Sequence, residues 1–182
     1  IPATSVREIR MAHQQGKIAH LFGWQSADVL AADSGGRQPA IENLRAYHEL
    51  GLRIVGIAYN VANYFGAGCI EPQIGLTRAG RRLVEQIHQL RIVLDVGGHT
   101  GEQTTLDAIA MSKGVPIVCT HTNVKARTDN PRCSSDRVIE AIAKTGGVLG
   151  MTAFNDFHAR TRHDAKVPRT PQVGLERHLD FV

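Results

Sequence analysis

Two histidines carry the strongest chemical signal in the chain. His99 and His121 each follow a short apolar run, and each stands between small polar residues: Gly98 and Thr100 in one case, Thr120 and Thr122 in the other. Two imidazoles at the ends of neighbouring strands can reach one ion without any local motif. Either histidine alone reads more simply as a hydrogen-bonding residue; the pair is what argues for a metal. Arg132 closes the candidate set, in the segment Asp129-Asn130-Pro131-Arg132 that leads into a helix capped by Ser134 or Ser135. On spacing alone, Arg132 is equally an exposed arginine in a turn or a planar fork that holds a carboxylate beside the metal. His13, His20, His48, His88, His158, His163 and His178 have no comparable setting and default to surface or packing roles.

The elements that must position these groups follow from hydrophobic period. Amphipathic stretches over 5–15, 40–50, 78–90, 104–113 and 134–144 predict helices, and most of them stop at a glycine. Each is followed by a compact apolar run, over 17–23, 53–58, 91–96, 116–120 and 147–152, which predicts a buried strand. Apolar strands alternating with helices indicate a parallel sheet covered on both faces, an α/β fold. Five units in 182 residues use about 36 residues each, so eight would need about 290, the size of a (β/α)8 TIM barrel. A flavodoxin-like open sheet also accommodates five strands, but no glycine-rich phosphate turn follows the first one. The reading is a single incomplete barrel domain over 1–182. Polar groups end every strand: Trp24 and Gln25, Tyr59 with Asn60 and Asn63, His99, His121, and Thr152 with Asn155. In a parallel barrel these converge on the face that bears active sites. Long connections rich in glycine and proline (Gly35, Gly36 and Pro39; then 60–77) lie on that side, and 158–171 is a third loop before a short helix over 173–181.

Composition narrows the function classes. Hydrophobic residues make up 42% of the chain, enough for a core, while no stretch approaches the roughly 18 apolar residues of a membrane span. The net charge of +4 arises from 21 basic residues scattered among 17 acidic ones, a solvated surface with no basic stripe for nucleic acid. Cys69, Cys119 and Cys133 form no CxxC pair, which argues against a disulfide framework or thiolate zinc site and favours a reducing, cytoplasmic compartment. A start at Ile1 without methionine or leader suggests a truncated or processed chain, so export or anchor signals would lie outside it.

Gly51-Leu52-Arg53 leading to Tyr59-Asn60, Gly75-Leu76-Thr77, Leu94-Asp95 before His99, Thr120-His121-Thr122-Asn123, Asp129-Asn130-Pro131-Arg132 and Gly146-Gly147-Val148 together carry a resemblance. Over nearly the whole chain the sequence resembles the membrane dipeptidase (renal dipeptidase) family of zinc peptidases, in a bacterial-type branch. The resemblance implies a metallodipeptidase that hydrolyses dipeptides with a metal-activated water and one or two zinc ions. It implies that His99 and His121 are zinc ligands, that Arg132 binds the substrate carboxylate, and that Tyr59 takes the place of a substrate-contacting histidine. Gln25 falls where the family has a bridging glutamate; a neutral amide offsets none of the repulsion between two cations, so a second ion is expected to bind weakly. The alternative is a metal-poor or inactive member that binds peptides or amino-acid derivatives without turnover. The family's His-x-Asp ligand pair is expected upstream of Ile1 and its catalytic aspartate beyond Val182, so the chain reads as strands three to seven of eight. Such a piece, prepared alone, is expected to be inactive. A homodimer is kept as a candidate assembly.

Overall fold

A computed structural model describes residues 1–32 and 38–154. Five parallel strands, β1 (Phe22–Trp24), β2 (Leu52–Gly56), β3 (Val93–Asp95), β4 (Val118–Thr122) and β5 (Val148–Met151), form one sheet in the order β1-β2-β3-β4-β5. This order separates the two architectures left open by the sequence. A flavodoxin-like sheet reverses direction at its switch point, with order 2-1-3-4-5, whereas every crossover here advances one strand the same way, as in a barrel wall.

Helices α1 (Val6–Gln14), α2 (Asp28–Ala32), α3 (Leu44–Glu49), α4 (Arg78–Gln89), α5 (Glu102–Met111) and α6 (Asp136–Lys144) connect the strands. Their starts are built by side chains. Ser5 accepts from Glu8 N while the Glu8 carboxylate reaches back to Thr4 N at 2.6 Å, a reciprocal cap at the head of α1. Thr77 accepts from Gly80 N at 2.9 Å at the head of α4, and Ser135 caps α6. The turns after α1, α3, α5 and α6 contain Gly16, Gly51, Gly114 and Gly146, all at positive φ, the left-handed conformation that glycine adopts without a Cβ clash.

The core lies between sheet and helices. Val55 and Leu94 from the strands pack with Leu83, Val84 and Ile87 of α4 and with Ile117 and Ile142, all buried. That stripe on α4 recurs at i, i+1 and i+4, which leaves Arg78, Arg81 and Arg82 for the outer face.

Boundaries differ from expectation at several places. The first strand begins at Phe22, not Lys17; upstream, His20 instead forms a single parallel bridge to Pro2. Arg91, expected to open the third strand, adopts φ 56° and turns the chain, so pairing starts at Val93. The short helix α2 falls in what reads as an excursion. The final loop and helix expected over 158–181, along with Gly35, Gly36 and Asn155, lie outside the described residues. Among the described residues no helix is long and apolar enough to cross a membrane.

Candidate active site

His99 lies just past β3 and is 4% exposed. Its backbone carbonyl accepts from both Asn60 N (3.1 Å) and Cys69 N (2.9 Å), which ties the loop after β2 to the strand end. Asn60 stands at φ 64°, a left-handed position that asparagine tolerates. Its side-chain oxygen lies 2.8 Å from His99 Nδ1. A carbonyl oxygen only accepts, so Nδ1 carries the proton and Nε2 keeps a bare lone pair. Tyr59 stacks on the same imidazole, with ring centroids 3.8 Å apart.

His121 comes from β4, and its ring centroid lies 4.9 Å from that of His99. Nδ1 contacts Thr120 Oγ1 at 2.8 Å, whereas Nε2 is buried and has no hydrogen-bond partner. An orphaned buried nitrogen is costly unless something else occupies its lone pair. Burial pushes the His99 pKa down to about 3, with the positive charge of Arg132 and the neighbouring His121 adding to the effect. Burial also lowers His121; the Asp95 carboxylate opposes that shift and Arg132 reinforces it. Both rings are therefore neutral and able to donate a lone pair at physiological pH, as metal binding requires.

The turn between β3 and His99 is built from two glycines with separate duties. Gly97 N donates to Asp95 Oδ1 at 2.7 Å, and a Cβ there would sit 3.2 Å from the His121 ring. Gly98 N donates to His121 O, and a Cβ there would lie 2.2 Å from the Arg132 carbonyl oxygen. The Gly98 carbonyl in turn accepts from Arg132 Nε at 2.8 Å. Arg132 is half-buried, and its positive charge reaches both imidazoles. Asn60, Ile70, Pro131, Arg132 and Phe154 line an open cavity of about 340 Å³ beside it.

The remaining candidates separate. Tyr59 is 44% exposed at the mouth of the site. Gln25 follows β1 with its side chain exposed, and its backbone carbonyl packs against Gly56; no described hydrogen bond joins its amide to either imidazole. Among the described residues no group of three or more His, Cys, Asp or Glu is placed to hold an ion. The cysteines are buried, and burial pushes Cys119 and Cys133 up to about 12, so they offer no thiolate. His88 packs between helices, its Nε2 3.0 Å from Ser112 Oγ, and His158, His163 and His178 lie outside the described residues. Asp95 and Thr120 were visible only as parts of a motif; the one available signal was a carboxylate ending an otherwise apolar strand.

Sheet order and parallel pairing put the chain in the class of (β/α)-barrel proteins, with two imidazoles together at the carboxyl rim. The comparisons with known proteins narrow the class. The model of the membrane dipeptidase family, peptidase family M19, matches residues 2–177, and the chain belongs to that family. A Klebsiella pneumoniae protein encoded in the pqqA 5′ region is 30% identical over all of this chain, which spans 65% of that relative. A metallopeptidase from Rhodobacter sphaeroides, solved with a phosphinate mimic of the dipeptide L-Ala-D-Ala, superposes with a TM-score of 0.81 at 29% identity, covering 100% of this chain and 50% of that one. An M19 metallopeptidase, dipeptidase AC, gives a TM-score of 0.82 at 28% identity over 99% of this chain and 51% of its own. The chain thus spans about half the length of these solved structures.

Proposed function

We propose that the chain carries part of a metallodipeptidase active site, where His99 and His121 hold a zinc ion through Nε2 and Arg132 binds the free carboxylate of a dipeptide. The observation that carries this reading is the buried, partnerless Nε2 of His121 beside the neutral His99 ring. Zinc, when bound, supplies a Lewis acid that polarises a carbonyl and lowers the pKa of water. The chain's own residues do the positioning. Arg132 fixes the substrate terminus, which confines the site to short peptides, since a longer chain has no carboxylate at that distance. Tyr59 covers one flank of His99 and faces the substrate, and Ile70, Pro131 and Phe154 give the cavity an apolar wall for a side chain. The dipeptide mimic in the Rhodobacter sphaeroides relative supports this substrate class. The free thiols of Cys69 and Cys119 support a reducing compartment such as the cytoplasm.

The test uses the full-length protein, counts zinc per chain and measures hydrolysis of Ala- and Gly-containing dipeptides by the wild type, His99→Ala and His121→Ala. Both substitutions are expected to abolish zinc binding and turnover; full turnover in either variant overturns the reading. A second reading, a metal-poor member that binds peptides without hydrolysing them, is favoured by the neutral Gln25 and by the absence of a third described ligand. Dipeptide binding with well under one zinc per chain and no turnover selects it.

A further inference from the structure

We propose that Asp95 and Thr120 form a polar relay that fixes the tautomer of His121 and thereby keeps Nε2 bare for a metal ion. Asp95 ends β3, is 5% exposed, and accepts three hydrogen bonds through both of its oxygens. Oδ1 accepts from Gly97 N at 2.7 Å and Thr120 N at 3.0 Å, and Oδ2 accepts from Thr120 Oγ1 at 2.6 Å. Thr120 Oγ1 has a single proton and two polar neighbours, Asp95 Oδ2 and His121 Nδ1. A carboxylate has no proton to give, so the hydroxyl donates to Asp95 and its lone pair accepts from His121 Nδ1–H. The neutral ring then has no proton on Nε2, the atom that the structure leaves buried and unpartnered.

The direction of this relay is set by charge, and a nearly isosteric change reverses it. In Asp95→Asn the two backbone N–H groups still require an acceptor at the Oδ1 position, so the amide oxygen sits there and the NH2 group faces Thr120. The hydroxyl must then accept from the amide and donate to His121 Nδ1. A neutral His121 would take the Nε2–H tautomer, and its inward nitrogen could no longer bind a metal. His99 is set independently by Asn60, so the reversal is confined to one of the two rings.

Asp95 and Thr120 are positioning residues: neither needs to touch the ion or the substrate. The proposal rests on the metallodipeptidase reading only for the identity of the ion. Histidine ring nitrogens of 15N-labelled, metal-free full-length protein report the tautomer directly, with His121 assigned by the resonances lost in His121→Gln. Competition against a chelator reports zinc affinity, and circular dichroism confirms folding. The bare nitrogen of His121 is expected at Nε2 in the wild type and Thr120→Ser, and at Nδ1 in Asp95→Asn. Zinc affinity is expected to fall about 10–100-fold in Asp95→Asn and in Thr120→Val, and to stay within about threefold in Thr120→Ser, the loss typical of residues that orient a ligating histidine. An unchanged tautomer in folded Asp95→Asn overturns the relay. If Asp95→Asn fails to fold, equal zinc affinities in Thr120→Ser and Thr120→Val overturn it instead. A wild type that binds no zinc refutes the metallodipeptidase reading, and the tautomer comparison still decides the relay.

Discussion

Gly98→Ala should disable the site while leaving the barrel wall in place. The added Cβ would lie 2.2 Å from the Arg132 carbonyl oxygen, and real contacts of this kind rarely fall below 3.0 Å, so one of two backbones must yield by about 1 Å. Both are committed. Gly98 N donates to His121 O, its carbonyl accepts from Arg132 Nε, and the Arg132 carbonyl accepts from Thr122 Oγ1. A shift therefore moves the His99 segment relative to the carboxylate clamp. Overpacking of this size costs about 1–3 kcal/mol in stability, and a 1 Å misplacement of positioned groups costs on the order of 100-fold in kcat/KM. Gly114→Ala supplies the control. Gly114 has φ 85° with nothing within 4 Å of its would-be Cβ, so that variant should lose about 1–2 kcal/mol from left-handed strain and keep full activity. Urea unfolding and dipeptide kinetics on both variants of the full-length protein, with zinc affinity measured alongside, give the comparison. Wild-type kcat/KM and zinc affinity in Gly98→Ala would refute the packing argument, and so would equal activity losses in the two variants.

In the full-length protein, Arg132→Ala is expected to lower kcat/KM for dipeptides about 10–100-fold, the loss of one charge-assisted interaction, while barely affecting a dipeptide whose C-terminus is amidated; equal effects on both substrates remove the clamp. Ile87→Ala, in the fully buried stripe of α4, should cost about 2–5 kcal/mol by urea unfolding with no change in KM. Burial lowers the His88 pKa from its ordinary 6.5, so below that pH the unfolded chain binds more protons and stability falls until the folded value is reached. His88→Gln should therefore flatten part of the stability slope between pH 7 and 5 in metal-free protein, and an unchanged slope contradicts the assignment. The 182-residue chain prepared alone should self-associate and lack activity, because its edge strands carry exposed apolar residues such as Phe22 (58%) and Val148 (64%); a monodisperse, active preparation contradicts this.

The alternation of helix and strand was legible because its signals are local. Apolar runs mark strands buried on both faces, and glycines at positive φ mark the turns after α1, α3, α5 and α6. Helix α2 was not legible: five residues are too few to show a period, and Asp33-Ser34-Gly35-Gly36 immediately afterwards reads as loop. Arg91 belonged by composition to the strand that its left-handed backbone excludes. At the site, His99, His121 and Arg132 could be chosen because strand ends in a parallel sheet share a rim. The Asp95–Thr120–His121 relay could not, since it depends on the pairing of Asp95 with Val118, which carries Thr120 alongside the carboxylate. A long-range register of that kind leaves no trace in local periodicity. The reason for the paired glycines at 97 and 98 lies in atoms more than twenty residues away.

The carbonyl of His99, with Asn60 N and Cys69 N both bound to it, acts as a staple across the base of the intervening chain. Within segment 61–68, Phe65 to Gly68 are buried and bonded to their surroundings, and only the tip around Val61, Ala62 and Tyr64 is exposed. Insertions are therefore expected to be tolerated at that tip, where lengthening a closed loop raises its closure entropy only slowly. The imidazole beneath stays in register throughout.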